Sequence, residues 1–389
     1  MILQSQTTSV MEFVFWLLAA LIFYVYVGYP IVLVVLQGLF GKPAGKAECQ
    51  PSVSILIPAF NEAEIMAAKI RNTLALDYPR ELLEIVVASD GSTDGTADIA
   101  KAHVDGRVRF FDFPENRGKV AVLNDTVPHL RGEIVVFSDA SAMLAPDSMR
   151  ELVTAFSNPK VGAVSGVYGI ANKAVANLGR QEDFYWSYET FLKTMESRLG
   201  TLTGAHGAFY AIRRSLYPFP LADTINDDFV IPTSVIRQGF RIAYETRARA
   251  LEEAEYTEGF RRRVRITAGN FEQVGEIRKL LGPSQPLTLF CFLSHKAGRL
   301  LVPPAMVGLL ACSLVLASIR PYSWFLIAQA VFYGVALIGA FVRLRPAVLR
   351  LPYYFCRINA AFFVWLYQVW FRGRAATASG SKRSPVAWT

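Results

Sequence analysis

The sequence predicts an α/β fold with a mostly parallel sheet, held between apolar helices long enough to cross a membrane. Short β-branched runs alternate with longer helical stretches between about residues 52 and 275. Apolar runs of spanning length lie on both sides of that region. The chain is 389 residues long, 52% hydrophobic and only 19% charged. Soluble domains carry about 25% charge, so much of the apolar content belongs somewhere other than a soluble core.

Taken in order, residues 1–10 read as an external N-terminal tail and residues 11–40 (MEFVFWLLAALIFYVYVGYPIVLVVLQGLF) as a transmembrane anchor. That run is long enough to cross a hydrocarbon layer of roughly 30 Å. It has no basic start and no small-residue cleavage site, so it reads as a retained anchor rather than a signal peptide. The basic linker 41–51 belongs on the cytoplasmic side. Strands are expected at 52–58, 84–89, 107–113, 133–139, 161–166 and 207–213, with helices near 62–76, 94–103, 117–130, 146–157 and 180–199. Continuous apolar strands alternating with helices imply a parallel sheet covered on both faces. The catalytic domain is drawn over 52–275, with an interfacial connector at 276–299, C-terminal membrane segments at 300–371 and a polar basic tail at 372–389. Within 300–371, residues 300–319 and 323–342 read as spans. Residues 351–371 hold Arg357, Asn359 and many aromatics, which suit the headgroup boundary better than mid-membrane.

Composition narrows the function. The net charge of +8 fits an anionic membrane surface or phosphorylated ligands. No basic tract is interleaved with aromatics, so nucleic acid is not an expected partner. Cys49, Cys291, Cys312 and Cys356 form no CxxC pair, and the four histidines make no zinc pattern.

In open parallel sheets, ligands bind at the carboxyl ends of strands. Here those ends are polar: Pro58-Ala59-Phe60-Asn61-Glu62, Asp90-Gly91-Ser92-Thr93-Asp94-Gly95-Thr96 and Asp139-Ala140-Ser141. Each also has a plain structural reading, since Asp, Ser and Thr suit turns and helix caps. Acids at matching strand ends point to a site.

The ordered set SVSILIPAFNE, IVVASDGSTDGT, ENRGK, VVFSDAS, TGAHGAFYAIRR (203–214), INDDF (225–229) and FRRRVRITAGN (260–270) resembles family-2 glycosyltransferases of the GT-A (Rossmann-like) fold. The resemblance covers roughly residues 50–275 and extends to bacterial polysaccharide synthases of the cellulose, hyaluronan and poly-N-acetylglucosamine type. It implies an inverting transfer from a nucleotide diphosphate sugar, with UDP as the expected nucleotide, to a glycan or lipid-linked acceptor. It also implies a multi-pass protein of the inner (plasma) membrane with a cytoplasmic catalytic domain, touching membrane lipids and polysaccharide-export subunits.

By the same resemblance, Pro58, Asn61, Glu62, Asp90, Gly118, Lys119, Asp139, Arg262, Arg263 and Arg265 fall on the nucleotide and donor side. Gly204, His206 and Asp227 fall on the acceptor side. Asp228 matches the general base, and Asp139 matches the first acid of a DxD motif that holds Mg2+ or Mn2+. Two departures stand out: DAS has Ser141 where the second acid belongs, and Ile266 replaces the Trp of the QxxRW region. Plainer readings stay open. Lys119 reads equally as a solvated helix start, Asp227-Asp228 as a capped first turn, the arginines as a basic helix beside the membrane, and His206 as an ordinary polar contact. Single addition to a lipid carrier is the alternative within the class. A glycoside hydrolase, a transporter and a non-catalytic membrane scaffold are the alternatives outside it.

Overall fold

Val, Ile and Leu runs bounded by polar turns build the sheet, and uninterrupted apolar helices build what flanks it. The computed structural model describes residues 2–41, 47–171, 179–253, 259–281, 285–342, 344 and 347–372. The chain begins with α1 (Ile2–Phe23) and α2 (Tyr29–Phe40), joined by a π-helical turn at Tyr24–Gly28. It then alternates through β1 (Val53–Ala59), α3 (Ala63–Leu74), β2 (Leu83–Asp90), α4 (Thr96–Ala102), β3 (Val108–Phe113), α5 (Lys119–Thr126) and β4 (Ile134–Ser138). Next come β5 (Met143–Leu144), α6 (Ser148–Thr154), β6 (Val161–Ala171), α7 (Gly179–Leu199), β7 (Phe209–Arg213), α8 (Asp227–Arg237) and β8 (Arg241–Glu253). The C-terminal part holds α9 (Gly259–Leu280), α10 (Pro286–Phe292), a second π-helical turn (Leu293–Ala297), α11 (Gly298–Val315), α12 (Tyr322–Phe341) and α13 (Ala347–Arg372).

The strands form one eight-stranded sheet in the order β3-β2-β1-β4-β7-β6-β8-β5. β3, β2, β1 and β4 run parallel; β7 is antiparallel to both β4 and β6; β8 is parallel to β6, and β5 antiparallel to β8. The mostly parallel sheet expected from the sequence is therefore present. Chain order reverses between β1 and β4, which opens a crevice at their carboxyl ends, where such sheets bind ligands.

Successive strand residues face opposite sides. Ile55, Ile57, Ile85, Val87 and Val136 pack under α3 and α6 with Met66, Ile70, Met149 and Leu152. Leu56, Val86, Val135 and Phe137 face the other way, onto Val122 and Leu123 of α5 and Phe229 and Val235 of α8. β5 and β8 were not among the expected strands. β8 reads RIAYETRARALEE; Ile242 and Tyr244 are buried at its start, but beyond them exposed Arg247 and Arg249 alternate with buried Ala248 and Ala250, so no continuous apolar run marks it.

Among the described residues, three helical runs are long and apolar enough to cross a membrane: Thr8–Phe40, Pro286–Val315 and Tyr322–Phe341. The second begins inside the stretch read as a connector and runs through the π-helical turn. The two π-helical turns meet, with the Tyr24 hydroxyl 2.8 Å from Ser294 Oγ. α13 is not one of the three runs. It lies against α9, where Trp365 stacks on Phe271 with centroids 3.9 Å apart, and its Phe355 ring meets Tyr26 edge to face at 5.2 Å.

Candidate active site

The carboxyl ends of β1, β2 and β4 bring most of the expected residues together. After β1, Asn61 adopts a left-handed backbone, φ 56°. That turn lets Asn61 Oδ1 accept the Thr93 N–H at 2.8 Å and its own N–H reach Ser92 Oγ at 3.2 Å. The Glu62 N–H donates to Thr96 Oγ1 at 2.8 Å, and the Glu62 side chain is buried. The loops after β1 and β2 are thus sewn together, with Pro58 beside Ala88 in the β1–β2 register.

Asp90 ends β2 and is buried. Its two carboxylate oxygens accept the Arg117 N–H at 2.8 Å and the Gly118 N–H at 2.9 Å. Burial raises its carboxyl above the ordinary aspartate range, opposed by those two bonds. Gly91, at φ +71°, passes so close to the 115–116 backbone that a Cβ would lie 2.5 Å from Asn116 N. Asp90 and Gly91 therefore hold the ENRGK loop, and that loop delivers Lys119 at the start of α5.

Lys119 is 8% exposed and sits between two carboxylates. Its Nζ lies 2.9 Å from Asp139 Oδ1 and 3.3 Å from Asp227 Oδ2. Burial alone would lower its pKa; the Asp139 and Asp227 carboxylates outweigh it and hold the ammonium above the ordinary lysine range. The Tyr210 hydroxyl donates to Asp227 Oδ2 at 3.0 Å. The N-cap of α8 is Asn226, so Asp227 and Asp228 both lie in the first turn. The turn thus points Asp227 at the lysine instead of leaving it a purely local cap.

Asp228 lies under the TGAHGAF segment. Its carbonyl accepts the Ala205 N–H at 2.7 Å, and a Cβ on Gly207 would come within 3.2 Å of its Oδ2. Gly204, at φ +78°, packs on Phe229 in the same place. Burial first, and then the Asp227 carboxylate, push the Asp228 carboxyl above its ordinary range, while Lys296, Lys119 and Lys193 pull it back. His206 is buried, with Nε2 3.0 Å from the Tyr244 hydroxyl and its N–H on Ser165 Oγ. Burial and the nearby Lys193 hold its pKa well below the usual imidazole range, so it is neutral at pH 7.

The arginines are placed differently. Arg263 donates to the Tyr354 hydroxyl of α13 at 3.0 Å, and Arg265 is exposed on α9. Neither has a described bond to the Asp139–Lys119–Asp227 group. The Arg262 side chain lies outside the described residues.

Three further polar residues shape the site without having been expected. Lys69 on α3 is fully buried and donates to Ser138 Oγ at 2.7 Å and to the Ala142 carbonyl. It braces the turn that carries Asp139, and burial pushes its pKa down to about 7 against the pull of Asp139. Lys193 on α7 reaches the Ala205 carbonyl at 3.3 Å. Glu252 accepts the Ser141 hydroxyl at 2.6 Å. The signal for Lys69 was a lysine on the helix face of the apolar residues Met66 and Ile70. Lys193 lies between Glu189 and Glu196 at helical spacing, a subtler sign.

The oxygen donors around Asp139 suit a hard divalent cation. The Lys119 ammonium lies between Asp139 and Asp227, so the fold already places positive charge there. No group of three or more His, Cys, Asp or Glu side chains with metal-holding geometry occurs among the described residues. A cation here would take only one or two ligands from the protein and the rest from substrate phosphates and water, as Mg2+ commonly does. On that donor set the residues present fit such an ion.

Residues 54–218 match the family model described as Glycosyl transferase family 2. The poly-beta-1,6-N-acetyl-D-glucosamine synthase of Staphylococcus epidermidis is 26% identical over 302 residues, covering 75% of this chain and 72% of the relative. The enzyme of the same name from Staphylococcus aureus (strain COL) is 27% identical over 267 residues; the match covers 67% of this chain and 63% of that relative. A mannosyltransferase from Pyrobaculum calidifontis, solved with GDP-Man and Mn2+, superposes with a TM-score of 0.71 at 25% identity, covering 92% of this chain and 99% of that one. Sequence and sheet order agree: residues 54–218 carry a Glycosyl transferase family 2 domain on a GT-A fold, and the chain is a glycosyltransferase.

Proposed function

We propose that this chain is an inverting glycosyltransferase of the inner (plasma) membrane that moves a sugar from a nucleoside diphosphate to a hydroxyl of a glycan or lipid-linked acceptor, in cell-surface polysaccharide synthesis. The observation that carries this reading is the meeting of Asp139, Lys119 and Asp227, with Asp228 next on the same helical turn. One place thereby offers both a cationic group for a diphosphate and a carboxylate for a proton.

The chemistry asks two things of these residues. The acceptor hydroxyl must lose its proton as it attacks, and a positioned carboxylate can take it. Asp228 Oδ is that base, fixed through its own carbonyl by the Ala205 N–H. Charge also builds on the departing diphosphate. The Lys119 ammonium stabilises it through charge-assisted bonds, with Asp90 holding Lys119's loop in place. Asp139 would hold Mg2+ or Mn2+, whose chemistry is to neutralise charge on the diphosphate oxygens. Asn61 and Glu62, on the loop after β1, and Asp90 form the nucleoside end of the crevice. Gly204, His206 and Asp227 form the acceptor end, with His206 a neutral hydrogen-bonding group.

The relatives are named for poly-N-acetylglucosamine synthesis, and the structural neighbour holds GDP-Man. The donor test therefore spans both nucleotides. Detergent-purified protein is supplied with UDP-N-acetylglucosamine, UDP-glucose or GDP-mannose, with and without Mg2+ or Mn2+, and nucleoside diphosphate release is scored. One donor is expected to react, and Asp228→Asn is expected to abolish release while nucleotide binding stays within a few-fold. Near-normal turnover of that variant removes Asp228 from the mechanism. Product length on an acceptor separates chain growth from single addition.

A further inference from the structure

The DAS turn lacks the second acid of its motif, yet the structure places a carboxylate directly behind it. Asp139 follows β4, and the chain turns through Ala140-Ser141-Ala142 into β5. β5 pairs antiparallel with β8, Met143 opposite Leu251 and Leu144 opposite Ala250. One residue further along β8, that register brings Glu252 against the turn. There the Ser141 hydroxyl donates to Glu252 Oε1 at 2.6 Å and the Tyr168 hydroxyl donates to Oε2 at 2.5 Å. Both Glu252 carboxylate oxygens thus accept a hydroxyl hydrogen, one from the turn and one from β6. Tyr168 is placed for this by the β6–β8 ladder, which sets it beside Ala250 on the same strand.

A serine hydroxyl is a weak ligand because it brings no charge. Its oxygen becomes a better one when a carboxylate accepts its hydrogen, the way an outer partner raises the basicity of an inner ligand. We propose that Glu252 supplies the charge missing from the DAS turn, acting through Ser141 so that Ser141 Oγ ligates the divalent cation beside Asp139. The inference rests on the reading of Asp139 as the metal carboxylate. It assigns Glu252 a positioning role on a strand that no sequence motif marks. It also explains how a turn with one acid can hold the ion: the second negative charge arrives from β8, one hydrogen bond removed, instead of from the turn itself.

The test measures metal binding, not turnover. The full-length protein in detergent, saturated with GDP in one series and UDP in another, is titrated with Mn2+ while free Mn2+ is followed by electron paramagnetic resonance. Glu252→Gln and Ser141→Ala are each expected to weaken Mn2+ binding by about 10–100-fold. The double variant is expected to be no weaker than Ser141→Ala alone, because Glu252 acts only through that hydroxyl. Ser141→Asp in the Glu252→Gln background is expected to restore binding. Tyr168→Phe, which removes a bond to Glu252 but not its charge, is expected to stay within a few-fold. Should Glu252→Gln misfold, Ser141→Ala carries the same expectation from a smaller change. Asp139→Asn separates the two layers. If it weakens Mn2+ binding while Glu252→Gln and Ser141→Ala leave it unchanged, this inference fails and the metal reading stands. If Asp139→Asn has no effect, the metal reading fails and this inference with it. Additive losses in the double variant overturn the route through Ser141.

Discussion

Replacing Lys119 by Met removes the one charge that separates Asp139 from Asp227 while keeping most of the side chain's bulk. The cost can be worked from the two contacts. Asp227 is 11% exposed and 3.3 Å from Nζ; stripping the partner from a buried carboxylate costs about 3–5 kcal/mol, reduced here because the Tyr210 hydroxyl still donates to it. Asp139 is 38% exposed and 2.9 Å away, so solvent screens that half to about 0.2–1 kcal/mol. Together the loss is about 2–4 kcal/mol. At roughly 2–4 °C per kcal/mol for a domain of this size, the midpoint of thermal unfolding falls by about 5–15 °C. The same change frees both carboxylates for another cation. A tenfold gain in affinity adds about 1.4 kcal/mol of stabilisation at saturating ion, so Mn2+ restores more stability to the variant than it adds to the parent. The assay is a thermal melt in detergent without nucleotide, with and without millimolar Mn2+. A variant that melts within about 1 °C of the parent, or whose response to Mn2+ matches the parent's, refutes the account of Lys119 as the charge that holds the two acids together.

Asp227→Asn removes the negative neighbour that helps raise the Asp228 carboxyl. A base works only when ionised, and losing that repulsion favours the ionised form, so the acid limb of the kcat/KM profile is expected to move to lower pH; a limb that stays put, or moves up, contradicts Asp228 as the base. Gly91→Ala forces a side chain into a left-handed turn 2.5 Å from Asn116 N and is expected to cost about 2–5 kcal/mol from strain and overpacking combined. Gly95→Ala, left-handed but in open space, is expected to cost only about 1–2 kcal/mol, and equal midpoints for the two remove Gly91's contact with the ENRGK loop from the argument. A reporter fused after Thr389 is expected to read as cytoplasmic, since three spans with an outside N-terminus return the chain inside and α13 carries Arg350 and Arg357; an external readout overturns the three-span reading.

The strand ends that shape the crevice were legible because β1, β2 and β4 are continuous apolar runs ending in acids and turn formers. Local pattern suffices for such elements. β8 was not legible: after a short buried start at Ile242–Tyr244, its second half alternates buried alanines with exposed arginines, so no continuous apolar run marks it. Glu252 shared that fate, since only the β5–β8 register brings it to Ser141. Lys69 shows a different limit. A lysine on an apolar helix face reads as a snorkelling surface residue until the Ser138 hydroxyl and Ala142 carbonyl are known to lie over it. Asp227 reads both as an acceptor-side group and as an acid of a capped first turn, and only the packing of α8 brings it to Lys119, 3.3 Å away. Arg263, whose sequence position suits a diphosphate, donates to the Tyr354 hydroxyl of α13, a contact set by helix packing and not by any local motif.

The connection between the proposed base and the long apolar helices is likewise a product of tertiary packing. Glu189, Lys193 and Glu196 share one face of α7 through helical spacing. Glu196 accepts the Tyr29 hydroxyl at 2.7 Å and pairs with His295 at 2.8 Å; Glu189 pairs with Arg299. Those partners come from α2, the second π-helical turn and α11, all within the apolar runs. From the same face Lys193 donates to the Ala205 carbonyl, and the Ala205 N–H donates to the Asp228 carbonyl. The residue proposed to take the acceptor's proton is thus two hydrogen bonds from a helix fastened to the apolar helices. A buried ion pair such as Glu189–Arg299 adds little net stability, because desolvation offsets the attraction. These pairs tie α7 to those apolar helices at defined positions, and the Lys193–Ala205–Asp228 bonds carry that attachment to the proposed base.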